Sequence, residues 1–246
     1  MVSDNDPKVT AAQVRRVLLE GEMSPPALVP QGSNYTFLVK VTLGSQSIDA
    51  IYKPRDGERP LWDFPPGTLY LREYAAYLVS QGLSWDFIPC TVIRSGPYGV
   101  GSVQQFIEID PYSSYFTIRE EAPEELEPIA LFDCLSNNAD RKASHCFRDT
   151  AGSIWSIDHG LTFHPDPKLR TVIWDFEDEP ISASLLEQME RFVDSLHSES
   201  GVAPQLHRLL DAEELSALSS RIRSLLRTGR FPPQDPYRRN VPWPWF

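Results

Sequence analysis

The spacing of apolar residues changes between Ile107 and Glu120, and this change constrains the fold more than any other feature. Before it, apolar and polar side chains alternate, as at Phe37, Val39 and Val41, which is the pattern of a half-buried strand. After it, apolar residues recur every three or four positions, which is typical of helices. Strands followed by helices favour an α+β arrangement over alternating βαβ units. We therefore expect two lobes, with a binding cleft between them.

Caps and chain breakers predict where the elements lie. A capping box at Thr10–Gln13 opens a helix that Gly21 ends. Two apolar runs around Gly44-Ser45 indicate a hairpin over residues 34–53. The tail, residues 231–246, is rich in proline and aromatic residues and cannot be a regular helix. The remaining periodic segments predict helices at 69–80, 126–136, 182–195 and 212–227, and strands at 88–93, 101–107, 146–148 and 153–157.

Charge and composition exclude several classes of partner. The 246 residues contain 23 Lys and Arg against 34 Asp and Glu, a net charge of −11. This charge argues against broad nucleic-acid binding, which needs a basic face, and it opposes anionic membrane surfaces. Apolar runs are too short for membrane insertion, and the first residues lack the pattern of a signal peptide. Three cysteines are too few for a disulfide framework, so we expect a cytoplasmic protein.

Two polar stretches in the second half could carry chemistry. Residues 137–145 follow an apolar helix and place Asp140 among an Arg, a Lys and a His, a combination that makes poor core. In residues 155–161, a predicted strand leads into a glycine-containing turn that holds Asp158. Each stretch alone could be an exposed loop or a capped turn. A hairpin between them could bring the two carboxylates together, which would favour a divalent metal bound with phosphates.

The first half offers matching residues. Lys53 ends an apolar strand, and Glu73 lies in a predicted helix with tyrosines at the next position and four positions on. A half-buried Glu needs a cation, and Lys53 is a candidate. Upstream, the turn at residues 31–34 could bind phosphate oxygens through backbone N–H groups. The order of turn, strand Lys, helix Glu, loop Asp and strand-borne Asp matches phosphoryl transfer on a kinase fold.

At these residues the chain resembles the phosphatidylinositol 3-/4-kinase-like superfamily of atypical kinases, and most of all its small bacterial branch. Asp140-Arg141-Lys142 with His145 is similar to the Asp-Arg-His…Asn catalytic loop of that family. Ile157–Gly160 resembles its Asp-Phe-Gly metal loop. Gly32-Ser33-Asn34 matches its short phosphate loop. The resemblance covers roughly residues 28–165.

The resemblance implies a bilobal, protein-kinase-like α+β fold in one domain, residues 1–246. The strand-rich N-lobe would extend to about residue 107, and the mostly helical C-lobe would follow. ATP would lie in the cleft, its adenine against a connector formed by Gln104, Gln105, Phe106 and Ile107. Its phosphates would be held by Gly32, Ser33, Asn34 and Lys53, with Glu73 positioning the lysine. Asp158 and His145 would bind Mg²⁺ or Mn²⁺, and Asp140 would orient or deprotonate the attacking hydroxyl.

Two departures from the family pattern leave an alternative open. His145 stands where the family has a metal-binding Asn, and imidazole suits Mn²⁺ better than Mg²⁺. If His145 binds the metal, activity should also depend on pH near an imidazole pKa of about 6.5, because a protonated His cannot be a ligand. Lys142 replaces the His of the family pattern. Separately, no Ala-Pro-Glu segment follows Asp158, which argues against a peptide-binding platform of the protein-kinase kind. We favour an active kinase, and the alternative is a nucleotide-binding pseudokinase that serves as an interaction module.

Other chemistries have weaker support, and the acceptor is not readable from the sequence. A zinc hydrolase built on His145, His159 and His164 lacks the usual ligand spacing. Ser-His-Asp catalysis lacks a Gly-X-Ser-X-Gly elbow. The negative net charge makes a membrane-borne phosphoinositide the poorest acceptor, so we expect a soluble small molecule or a protein. The oligomeric state stays open.

Overall fold

The hairpin predicted at residues 34–53 forms the centre of the N-terminal sheet. The computed structural model describes residues 10–30 and 34–246. Strands β3 (Thr36–Leu43) and β4 (Gln46–Pro54) pair antiparallel, joined by a turn in which Gly44 has a left-handed φ of 61°. Val39, Val41 and Ala50 are buried on one face, as the alternation predicts.

Further antiparallel strands extend this hairpin into a six-stranded sheet. The added strands are β1 (Glu22–Met23), β2 (Ala27–Val29), β5 (Thr91–Gly96) and β6 (Gly99–Gln105). The order of the sheet is β1-β3-β4-β6-β5, and β2 also pairs with β3. Gly101 on β6 allows the close approach of β4, because a Cβ there would lie 2.3 Å from the carbonyl oxygen of Lys53. The sheet thus places Lys53 on a central strand.

Two helices pack on this sheet. Helix α1 (Ala11–Glu20) begins with the predicted capping box at Thr10 and buries Val14, Val17 and Leu18. Helix α2 (Leu69–Leu83) is buried along much of its length and contacts β5 and β6. Because α2 also contacts two helices of the C-terminal lobe, α5 (Ala183–Ser195) and α6 (Ala203–Leu209), it lies between the two lobes.

The C-terminal lobe is mostly helical. Its elements are α3 (Tyr115–Glu121), α4 (Glu127–Ser136), α5 (Ala183–Ser195), α6 (Ala203–Leu209) and α7 (Ala212–Thr228), with a small hairpin of β7 (Cys146–Arg148) and β8 (Ile154–Ser156). Helix α4 is its centre, with Ile129, Leu131 and Phe132 fully buried. Helix α7 opens with a capping box at Asp211 and ends at Gly229 in a left-handed conformation.

The predicted α+β, bilobal kinase-like fold is confirmed, with shifts at several element bounds. The strand expected at 88–93 begins at Thr91 because Pro89 cannot donate to a sheet. The strand expected at 101–107 ends at Gln105. Within the described ranges no helix is both long and apolar enough to cross a membrane.

A buried ion pair fixes α2 against the C-terminal lobe. Arg72 on α2 pairs with Glu214 on α7, and both side chains are almost fully buried. Arg72 Nη1 also donates to the carbonyl oxygen of Thr162 at 2.9 Å. Helix α2 is therefore tied both to α7 and to the segment that follows Asp158.

Candidate functional site

The cleft between the lobes holds one lysine between two carboxylates. Lys53 Nζ on β4 donates to Glu73 on α2, and it lies 3.0 Å from Asp158 Oδ1. Burial alone would lower the pKa of Lys53, but the charges of Asp158 and Glu73 hold it above its ordinary value. The ammonium group is therefore charged and fixed in place, as a phosphate-binding cation must be.

Asp158 is presented to the cleft by a strained turn after β8. Its φ is 62°, a left-handed value that is uncommon for a residue other than glycine. On one side Arg141 Nη1 donates to the carbonyl oxygen of Ile157 at 2.8 Å, and on the other the His159 N–H donates to Glu73 at 3.0 Å. The charge of Lys53 holds the pKa of Asp158 well below its usual range, so its carboxylate is ionised.

Asp140 lies in residues 137–145, which are called here the catalytic loop after the kinase loop that they resemble. Helix α4 ends at Asn137 in a left-handed conformation, which turns the chain into this loop. Asn138 Oδ1 accepts from the Asp140 N–H at 3.0 Å, and Lys142 Nζ lies 3.2 Å from Asp140 Oδ2. Burial raises the pKa of Asp140 in spite of Lys142, which favours its acting as a proton acceptor.

A fully buried polar cluster centred on α4 holds this loop in place. Arg141 donates to both oxygens of Asp133 on α4, at 3.0 to 3.1 Å. The Thr171 hydroxyl and the Asn138 amide each donate to Asp133 at 2.9 Å. Each of these four side chains is hydrogen-bonded within the cluster, and such networks fix a single local arrangement. Sequence reasoning missed Asp133, although a carboxylate on an otherwise apolar helical run was a usable signal.

His159 joins the two loops. Its Nε2 accepts from Arg141 Nη2 at 2.8 Å, and its ring packs edge-on against Phe132. Burial, together with the charge of Arg141, lowers the pKa of His159 well below its ordinary value, so the imidazole is neutral. Because the backbone N–H of His159 bonds Glu73, this one residue connects the Lys53 ion pair with the catalytic loop.

His145 lies next to Asp158. Its Nε2 is 3.5 Å from Asp158 Oδ2, and its Nδ1 accepts from the Lys142 N–H at 3.4 Å. Burial lowers the pKa of His145 to about 4. This value lies below the 6.5 of an ordinary imidazole, because desolvation disfavours the charged imidazolium.

Asp158 and His145 fit a metal that is bound together with a nucleotide. Magnesium in phosphate-binding sites usually takes one or two protein carboxylates, and substrate phosphates and water complete its shell. Across residues 10–30 and 34–246, no cluster of three or more His, Cys, Asp and Glu side chains could hold a metal alone. The two neighbouring side chains would thus supply part of a shell that phosphate oxygens complete.

The expected adenine connector is partly built into the sheet. The Gln104 side chain donates to Thr91 at 2.9 Å, and the N–H groups of Gln105 and Phe106 donate to backbone carbonyls at 2.8 Å. Ile107 follows the end of β6 and is half-buried. Among the described residues, none accepts a hydrogen bond from the Ile107 N–H.

The expected phosphate loop is described only at its end. Gly32 and Ser33 lie outside the described residues. Asn34 Oδ1 accepts from the Arg59 N–H at 2.8 Å, and the N–H of the next residue, Tyr35, donates to Gly57 at 3.0 Å. The Asn34 side chain is thus tied to the loop that precedes α2.

Solved structures of atypical kinases share this fold. The Golgi casein kinase matches with a TM-score of 0.55 and 15% identity, over 89% of this chain and 75% of that one. A hydra Fam20 structure with sugar matches with a TM-score of 0.56 and 14% identity, over 92% of this chain and 89% of that one. At these identities the likeness shows the fold alone.

Sequence comparison identifies a relative in a mycobacterium. No protein-family model matches the chain. Protein Rv2133c of Mycobacterium tuberculosis is 36% identical over 265 aligned residues, which cover 94% of each protein. This chain, an atypical kinase-like fold with a charged interlobe cleft, therefore belongs to the family of Protein Rv2133c.

Proposed function

We propose that this protein is an ATP- and metal-dependent phosphotransferase that acts on a hydroxyl acceptor. One observation carries the proposal: Lys53 is held between Glu73 and Asp158 in the interlobe cleft. Phosphoryl transfer depends mainly on placing positive charge where the phosphates lie. A fixed ammonium group between an anchoring Glu and a metal-binding Asp provides that placement.

Each charged residue of the cleft has a role in this proposal. Lys53 binds the phosphates, and Glu73 positions it. Mg²⁺ or Mn²⁺, held by Asp158 and His145 with phosphate oxygens, would neutralise phosphate charge. Asp140 orients the acceptor hydroxyl and accepts its proton, and its raised pKa suits that task.

The nucleotide would lie along the cleft between the two lobes. We place the adenine against Phe106 and Ile107, where the Ile107 N–H is available, rather than against Gln104, whose side chain is committed to the sheet. The Golgi casein kinase structure with Mn/ADP bound supports nucleotide and metal use in this fold.

Membership of the phosphatidylinositol 3-/4-kinase-like superfamily is part of the proposal. So is a cytoplasmic location, which three free cysteines support.

A Lys53→Met variant tests the proposal. We expect a folded protein that loses ATP-dependent phosphoryl transfer and binds ATP with Mn²⁺ at least tenfold more weakly, measured by calorimetry. Lys40→Met is the matched control, because Lys40 lies on the neighbouring strand in an exposed pair with Asp49. Wild-type transfer by the Lys53→Met protein would rule out the proposed role.

One observation favours the pseudokinase alternative. His145 Nδ1 accepts from the Lys142 N–H, so the neutral ring carries its proton on Nε2, the atom nearest Asp158. Metal ligation by Nε2 requires that proton to move to Nδ1. Saturable ATP binding without turnover, with Mg²⁺ and with Mn²⁺, would assign the pseudokinase function instead.

A further inference from the structure

A cavity of about 440 Å³ opens between the last three helices of the C-terminal lobe. Its lining comes from the residues that follow α5, from α6 and from one face of α7. None of its lining residues takes part in the interlobe cleft around Lys53. Volumes of about 300–1,000 Å³ are typical of small-ligand sites, and the space between packed helices is a common place for them. The proposed phosphoryl transfer leaves this cavity without a role.

The inner wall of the cavity is apolar. Leu196, Ala203 and Leu206 are buried, and Leu215 is half-buried. Leu196 and Leu206 belong to the hydrophobic core of the molecule, and Leu215 packs against that core. An apolar chain in the cavity would therefore lie on the core and out of water, which the hydrophobic effect favours.

One face of α7 forms the long side of the cavity. Its lining residues recur every three or four positions, as one face of a helix does. They are Ala212, Leu215, Ser216, Ser219, Ser220 and Arg223. From the first to the last of them the helix rises about 16 Å, at about 1.5 Å per residue. With C–C bonds of about 1.5 Å, an extended aliphatic chain advances about 1.3 Å per carbon atom, so about twelve carbon atoms span this length.

The far end of this face is polar and cationic. Arg223 is exposed and follows Ser219 by four positions and Ser220 by three, so the three side chains are neighbours on the helix. A guanidinium group with hydroxyl groups beside it can donate several hydrogen bonds to one carboxylate. No Asp or Glu lines the cavity, although the whole chain has a net charge of −11.

The charges around the cavity do not oppose an anionic group. Residues 194–230 contain five acidic residues and five arginines, together with His197 and His207, which line the cavity. Two of the acidic residues, Asp211 and Glu214, accept hydrogen bonds from backbone N–H groups at the start of α7, and Glu214 is also paired with buried Arg72. The other three are exposed and lie outside the lining: Asp194, Glu199 and Glu213.

We propose that this cavity is a second binding site, and that its ligand is an aliphatic carboxylate of about twelve carbon atoms. The carboxylate would bind Arg223, Ser219 and Ser220. The chain would run back along Leu215 and pack on Leu206 and Leu196. This site is separate from the interlobe cleft, and the proposal does not depend on phosphoryl transfer.

Calorimetric titration with sodium dodecanoate, kept below its micelle concentration, tests the proposal. The wild type should bind one molecule saturably, and Arg223→Gln should bind it at least tenfold more weakly because the guanidinium charge is lost. Ser216→Trp should also bind it at least tenfold more weakly, because an indole at this exposed lining position fills the groove. Arg227→Gln is the matched control and should bind like the wild type, since Arg227 is exposed one turn further along α7 and lies outside the lining.

Two more probes of the same chain length test the chemical class. Dodecyldimethylamine N-oxide carries no net charge, and dodecyltrimethylammonium carries the opposite charge. Each should bind the wild type at least tenfold more weakly than dodecanoate does. Equal affinity for either probe overturns the assignment of a carboxylate.

The remaining outcomes test the site itself. No saturable binding of dodecanoate by the wild type overturns the proposal, even where an acidic amphipathic peptide binds, because that result would indicate a protein partner. Unchanged affinity in a folded Arg223→Gln or Ser216→Trp protein also overturns it. Melting temperatures are measured in parallel, and if Ser216→Trp does not fold, Arg223→Gln decides because its side chain is exposed. No step uses ATP or turnover, so failure here is distinct from failure of the proposed function.

Discussion

In the proposed mechanism, His145 is the residue whose chemistry most affects the choice of metal. A neutral imidazole is a softer ligand than a carboxamide oxygen and favours Mn²⁺ over Mg²⁺. Replacing it with the oxygen ligand of the family pattern, His145→Asn, should lower the ratio of Mn²⁺- to Mg²⁺-supported turnover by about tenfold, an effect of about 1.4 kcal/mol. Rates measured across a concentration series of each metal check this.

The matched control for that variant is His164→Asn. His164 lies outside the catalytic loop, where its ring packs edge-on against Phe64. Its substitution should leave the metal ratio unchanged. An unchanged ratio in His145→Asn would mean that the imidazole does not bind the metal and only neighbours Asp158.

At the scale of elements, the buried ion pair between α2 and α7 fixes the helix that carries Glu73. Arg72→Met leaves Glu214 buried without its cation, which should cost about 3–5 kcal/mol of unfolding free energy. Urea denaturation measures the loss, and Arg72→Met combined with Glu214→Leu should recover much of it. Arg16→Met, in an exposed pair with Glu20, should change stability by less than about 1 kcal/mol.

Several helices and strands could be predicted because the residues that define their ends are close to them in sequence. The capping box at Thr10 and the turn at Gly44 lie within a few residues of the elements they define. Strand β1 (Glu22–Met23) and helix α6 (Ala203–Leu209) were missed because two and seven residues are too short to show a period.

The site was only partly predictable for a different reason. Lys53, Glu73 and Asp158 could be placed by order and spacing, and the structure brings their charged groups together. The pairing of Arg72 with Glu214 spans 142 positions, and no local pattern encodes so distant a partner. The low pKa of His145 depends on burial, which the surrounding elements determine only after folding.

At the scale of the whole molecule, two buried histidines make stability depend on pH. In the folded state the pKa of His145 is lowered to about 4, whereas an unfolded histidine titrates near 6.5. Between these values the unfolded chain binds more protons, so stability should fall as pH falls from 6.5 towards 4. Each such histidine contributes up to about 1.4 kcal/mol per pH unit, and His159 acts in the same direction.

Urea denaturation at pH 7, 6 and 5 measures this dependence. His145→Asn has no imidazole to protonate, so its stability should decline less steeply with acid than that of the wild type. Parallel slopes for the two proteins would contradict the burial of a neutral His145. The exposed His197→Asn provides the matched His-to-Asn control.

We propose that the two aspartates of the cleft do different work in one phosphoryl transfer. Asp158 is placed to hold a metal with the nucleotide, so Asp158→Asn should weaken metal-dependent ATP binding as well as turnover. Asp140 is placed to act on the acceptor hydroxyl, and such a group contributes about 10²–10⁴-fold. Asp140→Asn should therefore leave ATP binding nearly intact while turnover falls by that factor, a loss confined to the transition state.

The most direct measurement is calorimetric ATP titration with Mn²⁺ beside single-turnover rates of ATP consumption, on the wild type, Asp140→Asn and Asp158→Asn. Melting temperatures of the three proteins, measured in parallel, exclude a loss through unfolding. We expect Asp140→Asn to bind ATP like the wild type and to turn it over at least a hundredfold more slowly, and we expect Asp158→Asn to be impaired in both. Wild-type turnover by Asp140→Asn would contradict the proposed phosphoryl transfer.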